Sequence, residues 1–231
     1  MVAIILAAGM GKRLYPFTKD IPKCLLEIDG KTIIEHQIKV LEDCKINKIF
    51  VAIGYQGNQI KKKIKNVQFV FNPFYRFTNS VASLWFVLNK IIRPDDLVIL
   101  NGDILLEQSI IDEVVHSKIE QIAMLMDEGV AYEKADFKLF VENGYVKNMG
   151  KTLEKDEYSG EYAGVVRVPK AKYHTFKSAV EEVVYEEGFD KWYELVIKLS
   201  GFTTKVIKTK GRYWIEIDSE KDLRSSKIGK L

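Results

Sequence analysis

The sequence predicts an α/β fold: a mixed, mostly parallel central sheet flanked by helices, with a small β-hairpin subregion. Two patterns carry this reading. Up to about residue 130, short β-rich runs alternate with segments of helical periodicity, as in parallel strands joined by right-handed crossovers. Beyond that point, alternating strands flank Asn143-Gly144, a strong hairpin signal. A hydrophobic fraction of 47% over 231 residues supplies a sizeable core, so the whole span 1–231 is expected to be one domain.

The elements follow in order. Residues 2–8 are apolar throughout, which suits a strand covered on both faces. Residues 30–46 place Ile33, Ile34, Ile38 and Leu41 at helical spacing. A second strand is expected over 48–54, a short basic helix over 58–65 and a third strand over 67–72. The next helix, 79–91, starts at a good capping residue, Asn79. Strand 96–103, helix 107–118 and strand 121–127 complete the first part. The second part holds the hairpin within 136–149, a strand over 161–169 and helices over 171–187 and 190–200. Strands over 203–209 and 213–218 precede a last helix, 219–227, capped by Ser219 with Asp222 at its third position.

Several function classes fall away on composition. A net charge of +3 gives no global field for nucleic acid or a membrane surface. No run reaches the roughly 18 apolar residues of a membrane helix. The apolar opening lacks a basic leader and reads as a buried strand, not a signal peptide. Cys24 and Cys44 are too few for a disulfide scaffold and read as small core residues in a reducing cytoplasm. The lysines of 61–65 alternate with inward-facing Ile60 and Ile64 and read as a solvated helix face. His36, His116 and His174 show no metal-ligand spacing.

The first strand runs into Ala7-Ala8-Gly9-Met10-Gly11, followed by Lys12 and Arg13. Without a Cβ in the way, backbone N–H groups can cradle phosphate oxygens. Arg13 adds a planar fork and Lys12 a mobile point charge. Pro16 and Pro22 stiffen the loop that brings Lys23 back over this turn. The third glycine of a dinucleotide fingerprint is missing, as is the Gly-Lys-Ser/Thr of a Walker loop. The expected second strand also ends without the acid a dinucleotide fold would need. Asp103 ends one predicted strand, and Glu216 and Asp218 share a face at the end of another. Such acids either cap the helices that follow or, at strand C-termini, hold Mg²⁺.

The segments LAAGMGKRL and PKCLLEIDGK resemble the signature of the sugar-nucleotidyltransferase superfamily, the pyrophosphorylase-like enzymes, whose sheet is Rossmann-like. The resemblance implies that Leu6, Ala7, Ala8, Gly9, Met10, Gly11, Lys12 and Arg13 form the nucleotide-binding loop. It makes Arg13 and Lys23 catalytic: Arg13 on the leaving pyrophosphate side, Lys23 on the α-phosphate and the acceptor phosphate. It assigns Asp103 and Asp218 to Mg²⁺, with Glu216 as a weaker candidate. The stretch GYQGNQIKKKIKNVQFVFNPFYRFTNSVASL is similar to bacterial phosphocholine cytidylyltransferases and to enzymes activating other small phospho-alcohols or aminophosphonates. This implies CTP as donor and puts Asn79 and Ser83 near the nucleotide or the acceptor. Read without the resemblance, Asn79 is a helix cap and Ser83 a small packing residue.

The implied division gives residues to about 130 the nucleotide and the remainder the acceptor and second metal ligand. SGEYAGVVRV resembles the strand that lines the acceptor through Glu161 and Gly164. Asp190, Trp192, Tyr193 and Glu194 lie together, and an aromatic face beside an acid suits an ammonium. The same aromatics equally suit packing against the sheet. The partners expected are therefore a nucleoside triphosphate and a small phosphorylated acceptor such as phosphocholine, with monomer or homodimer left open. A sugar-1-phosphate uridylyl- or thymidylyltransferase is the nearest alternative. A catalytically inactive nucleotide-binding subunit is another, though Arg13, Lys23, Asp103 and Asp218 are all kept.

Overall fold

The structure is a computed structural model and describes residues 1–226. In chain order, β1 (Val2–Ala7) is followed by β2 (Glu27–Ile28), β3 (Lys31–Thr32), α1 (Ile33–Asp43), β4 (Ile49–Ile53) and α2 (Gly57–Lys63). Next come β5 (Gln68–Phe71), α3 (Ser80–Leu88), β6 (Leu97–Asn101), β7 (Ile104–Leu106), α4 (Gln108–Val115) and β8 (Ile122–Asp127). The hairpin β9 (Lys138–Glu142) and β10 (Tyr145–Gly150) leads to the long β11 (Gly160–Val168). The chain continues through α5 (Tyr173–Glu186), α6 (Glu194–Leu199), β12 (Thr204–Lys208), β13 (Trp214–Glu216) and α7 (Glu220–Ser225). Lys227, the last residue of the expected C-terminal helix, lies outside the described residues, as does the rest of the expected domain span to 231.

The main sheet runs β5-β4-β1-β6-β11-β8-β12-β10-β9 among the described residues. Its first four strands are parallel, as the strand–helix alternation requires. β11 then enters antiparallel between β6 and β8, which makes the sheet mixed. The hairpin β9–β10 sits at the far edge, and β9 also pairs with the start of β11. Period-two alternation divides the core. Val2 and Ile4 face one layer with α3, α5 and α6, while Ala3, Ile5 and Ala7 face the other with α1, α2 and α4. No helix among the described residues is long and apolar enough to cross a membrane.

Two departures from the sequence expectation shape the site. The expected strand 96–103 stops at Asn101, turns at Gly102 and Asp103, and restarts as β7. β7 pairs with β13 in a separate two-stranded sheet, with Glu216 opposite Ile104. The expected helix 190–200 begins only at Glu194. The residues before it serve α3 instead. The carbonyls of Phe189 and Lys191 accept from Asn79 N (2.8 Å) and Val81 N (3.2 Å), while Tyr193 N donates to Ser80 Oγ (2.9 Å). The open amides at the start of α3 are thus satisfied inside the chain.

The β6–β7 turn is held from both sides. A Cβ on Gly102 would lie 2.5 Å from Leu6 O and 2.8 Å from Ala7 Cα, so only glycine passes that close to β1. From the opposite layer, the amide nitrogen of Gln37 on α1 donates to Asn101 O (2.7 Å) and Ile104 O (3.0 Å). Gly102→Ala should therefore destabilise the fold by about 1–3 kcal/mol. Urea unfolding measures this, and an unchanged midpoint would mean that β1 can move aside.

Candidate active site

The turn after β1 forms the floor of a cavity of about 400 Å³. Leu6, Ala7, Ala8, Gly9, Gly11, Lys12 and Arg13 line it, whereas Met10 does not. Gly11 is left-handed, with φ +61°. Its carbonyl accepts from the buried Thr18 hydroxyl at 2.7 Å, which ties the turn to the loop returning toward Lys23. That loop ends in a single helical turn, Lys23–Leu25, from which Lys23 reaches the cavity.

At the strand ends the charges meet. Lys23 Nζ donates to Asp103 Oδ2 at 2.8 Å and also to Asp218. Arg13 pairs with the other Asp218 oxygen at 2.7 Å. Burial alone would push the Lys23 ammonium down, but Asp103 and Asp218 outweigh it and hold its pKa above the ordinary value. Glu216 shows the opposite effect: burial first, then the charges of Asp103 and Asp218, push its carboxyl up to about 9. Oxygens of Asp103, Glu216 and Asp218 all lie within 4.8 Å of one another. Asp103 Oδ1 is buried and has no hydrogen-bond partner among the described residues. Hard carboxylate donors at that spacing, one left unsatisfied, fit Mg²⁺. None of the three acids caps a helix; Ser219 caps α7.

Asn79 and Ser83 both line the cavity and both have structural work. Asn79 caps α3, accepting from Ser80 N at 2.8 Å. The buried Ser83 hydroxyl accepts from Asn72 Nδ2 at 3.1 Å. Of the residues expected around the acceptor, Trp192 and Glu194 line the cavity, but Glu161, Gly164, Asp190 and Tyr193 do not. Glu161 sits behind the wall, accepting from Asp136 N at 2.7 Å. Gly164 packs against Ile104 and Asn101 beneath the turn that carries Asp103. Asp190 pairs with Lys191 at 3.3 Å. Tyr193 is fully buried, and its hydroxyl hydrogen-bonds that of Tyr162, which does line the cavity. Its role here is to set Tyr162.

Sequence reasoning passed over several lining residues. Asn72 directly follows β5 and is almost fully buried; its side chain bonds Thr78, Ser83 and Phe74 N and so fixes the 72–79 loop. Its only signal is a polar residue closing an apolar strand. Asp136 and Lys151 come from just outside the β9–β10 hairpin and meet at 2.7 Å on the cavity wall. Nothing in their local sequence marks them, because the hairpin's position at the sheet edge brings them there.

Residues 3–159 match the family described as the MobA-like NTP transferase domain. A CTP:phosphoglutamine cytidylyltransferase of Campylobacter jejuni is 30% identical over 96% of this chain and 98% of its own length. A choline-phosphate cytidylyltransferase of Streptococcus pneumoniae is 42% identical over 39% of this chain and 41% of its own. Among solved structures, the inositol-1-phosphate CTP transferase of T. maritima superposes with a TM-score of 0.78 at 24% identity, covering 96% of this chain and 91% of that one.

Glu194 supplies a pH test. Burial pushes its carboxyl from 4.5 up to about 7. The folded chain then keeps a proton that the unfolded chain releases, so this group's contribution to stability falls as pH rises from about 4.5 to about 7. Glu194→Gln should remove that decline. Relative to wild type, its gain from pH 5 to pH 8 should be on the order of 3 kcal/mol in urea unfolding with chelator present. A parallel pH dependence in both proteins would show that Glu194 ionises freely.

Proposed function

The chain belongs to the family of MobA-like NTP transferase domains, and from that premise we propose that it joins CTP to a small phosphorylated organic acceptor and releases pyrophosphate. It is a nucleotidyltransferase of the cytidylyltransferase type. Two relatives act by name on phosphoglutamine and choline phosphate, which sets the size of acceptor considered, phosphocholine included. The observation that carries the proposal is the meeting of Lys23, Asp103 and Asp218 beside the glycine turn, with Arg13 at its rim.

In this reading residues up to about 130 hold the triphosphate and the later part supplies the acceptor wall and Asp218. An acceptor phosphate oxygen attacks the α-phosphorus of CTP. A new P–O bond forms as the bond to the β-phosphate oxygen breaks, and pyrophosphate leaves with the electron pair. The attacking oxygen is already anionic, so no base is needed. The barrier lies in bringing anions together, which positioning and fixed cations lower. The backbone of 6–11 orients the phosphates. Arg13, largely exposed, would exchange its pairing with Asp218 for the leaving pyrophosphate, and Lys23, at the cavity, would meet the reacting phosphates. Asp103 and Asp218, with Glu216 beside them, would hold Mg²⁺, whose chemistry here is charge neutralisation on phosphate oxygens.

Pyrophosphate release from CTP, UTP or dTTP with a panel of phosphorylated acceptors tests the proposal. Turnover is expected with CTP, and turnover confined to UTP or dTTP with a hexose 1-phosphate would refute it. Asp103→Ala and Asp218→Ala should each remove metal-dependent turnover while leaving the fold intact. Near-normal activity in either would remove that residue from the metal site. Arg13→Ala and Lys23→Ala should each lower kcat on the order of 10²-fold, equivalent to about 3 kcal/mol.

A further inference from the structure

We propose that Lys151 reads the end of the acceptor remote from its phosphate, and that this end carries a carboxylate, not a quaternary ammonium. The proposal rests on the acceptor site assigned above. The indole of Trp192 is the aromatic face that the sequence offers to an ammonium, and it already has one. Lys151 Nζ stands 4.6 Å from the ring centroid. The same nitrogen is held by both oxygens of Asp136, at 2.7 and 3.0 Å. The chain's own cation therefore takes both parts of a cation cage, the π-face and the acid.

Asp136, Lys151 and Trp192 all line the cavity, and each is partly exposed, so the cluster belongs to its wall and not to the core. A trimethylammonium group entering here would stand beside a like charge and could donate no hydrogen bond. A carboxylate meets the reverse situation. An ammonium has three N–H donors, and Asp136 engages at most two of them. The remaining N–H can make a charge-assisted bond. Glu194, the other acid on this wall, is buried, with its carboxyl pushed up to about 7. It opposes an incoming anion less than a free carboxylate would.

A matched pair of probes isolates the carboxylate: O-phospho-L-serine is phosphoethanolamine with one carboxylate added. With CTP and Mg²⁺, kcat/KM for phosphoserine should exceed that for phosphoethanolamine or phosphocholine by about tenfold or more, as one charge-assisted bond would give. Lys151→Ala should bring phosphoserine and phosphoethanolamine within about twofold, through KM for phosphoserine, with KM for CTP unchanged. Lys151→Arg keeps the cation and should keep the preference. Equal or better use of phosphocholine or phosphoethanolamine by the wild type, or a preference that survives Lys151→Ala, overturns the assignment. Calorimetric titration of the same two probes decides it independently of turnover. Tighter phosphoserine binding, by about tenfold and lost in Lys151→Ala, supports Lys151; equal binding, or none at about 10 mM, overturns it. Absence of pyrophosphate release with every triphosphate and acceptor would instead refute the proposed reaction.

Discussion

One ion-paired lysine holds the site together. Lys23 bonds Asp103, 80 residues later, and Asp218, 195 residues later. Three segments far apart in sequence, two of them also joined through the β7–β13 pairing, thus meet at one nitrogen. A buried ammonium is costly to dehydrate and stays only where opposite charges compensate it. Here two carboxylates do so, and burial together with their charges pushes the carboxyl of Glu216 beside them upward. The opposed charges let the cluster sit half-buried. It still keeps one Asp103 oxygen without a partner among the described residues. The placement of that imbalance at a row of strand ends, above a turn of open backbone, is what gives the molecule its polarity.

Much of this was legible in the residues. Alternation of strand and helix gave the parallel half. The glycine turn with its two cations marked what proves to be the cavity floor, and Asp103, Glu216 and Asp218 stood out as acids at the ends of apolar runs. Their convergence was not legible, because it depends on the three-residue pairing of β7 with β13, which has no local signature. β11 was readable as a strand but not as the antiparallel insert that separates the two parts of the sheet.

The cavity wall around Trp192 was the least readable part, for a physical reason. Helical spacing cannot tell whether 190–193 continues a helix or caps another, and here those residues satisfy the amides of α3. Two aromatic neighbours in sequence consequently have opposite fates. Trp192 reaches the cavity, while Tyr193 is sealed in the core behind Tyr162. Lys151 and Asp136 show the same limit, since a charged pair near a hairpin reads as surface until the sheet edge is folded against the site.

Gln37 carries a wider consequence. It belongs to a helix on the side of the sheet served by α1, yet its two amide hydrogens grip the carbonyls on either side of the Gly102–Asp103 turn. The spacing of the acidic groups is therefore gauged from behind, by a residue outside the cavity lining. Evolution or engineering could retune the set of Asp103 against Glu216 and Asp218 without altering a single residue that lines the cavity.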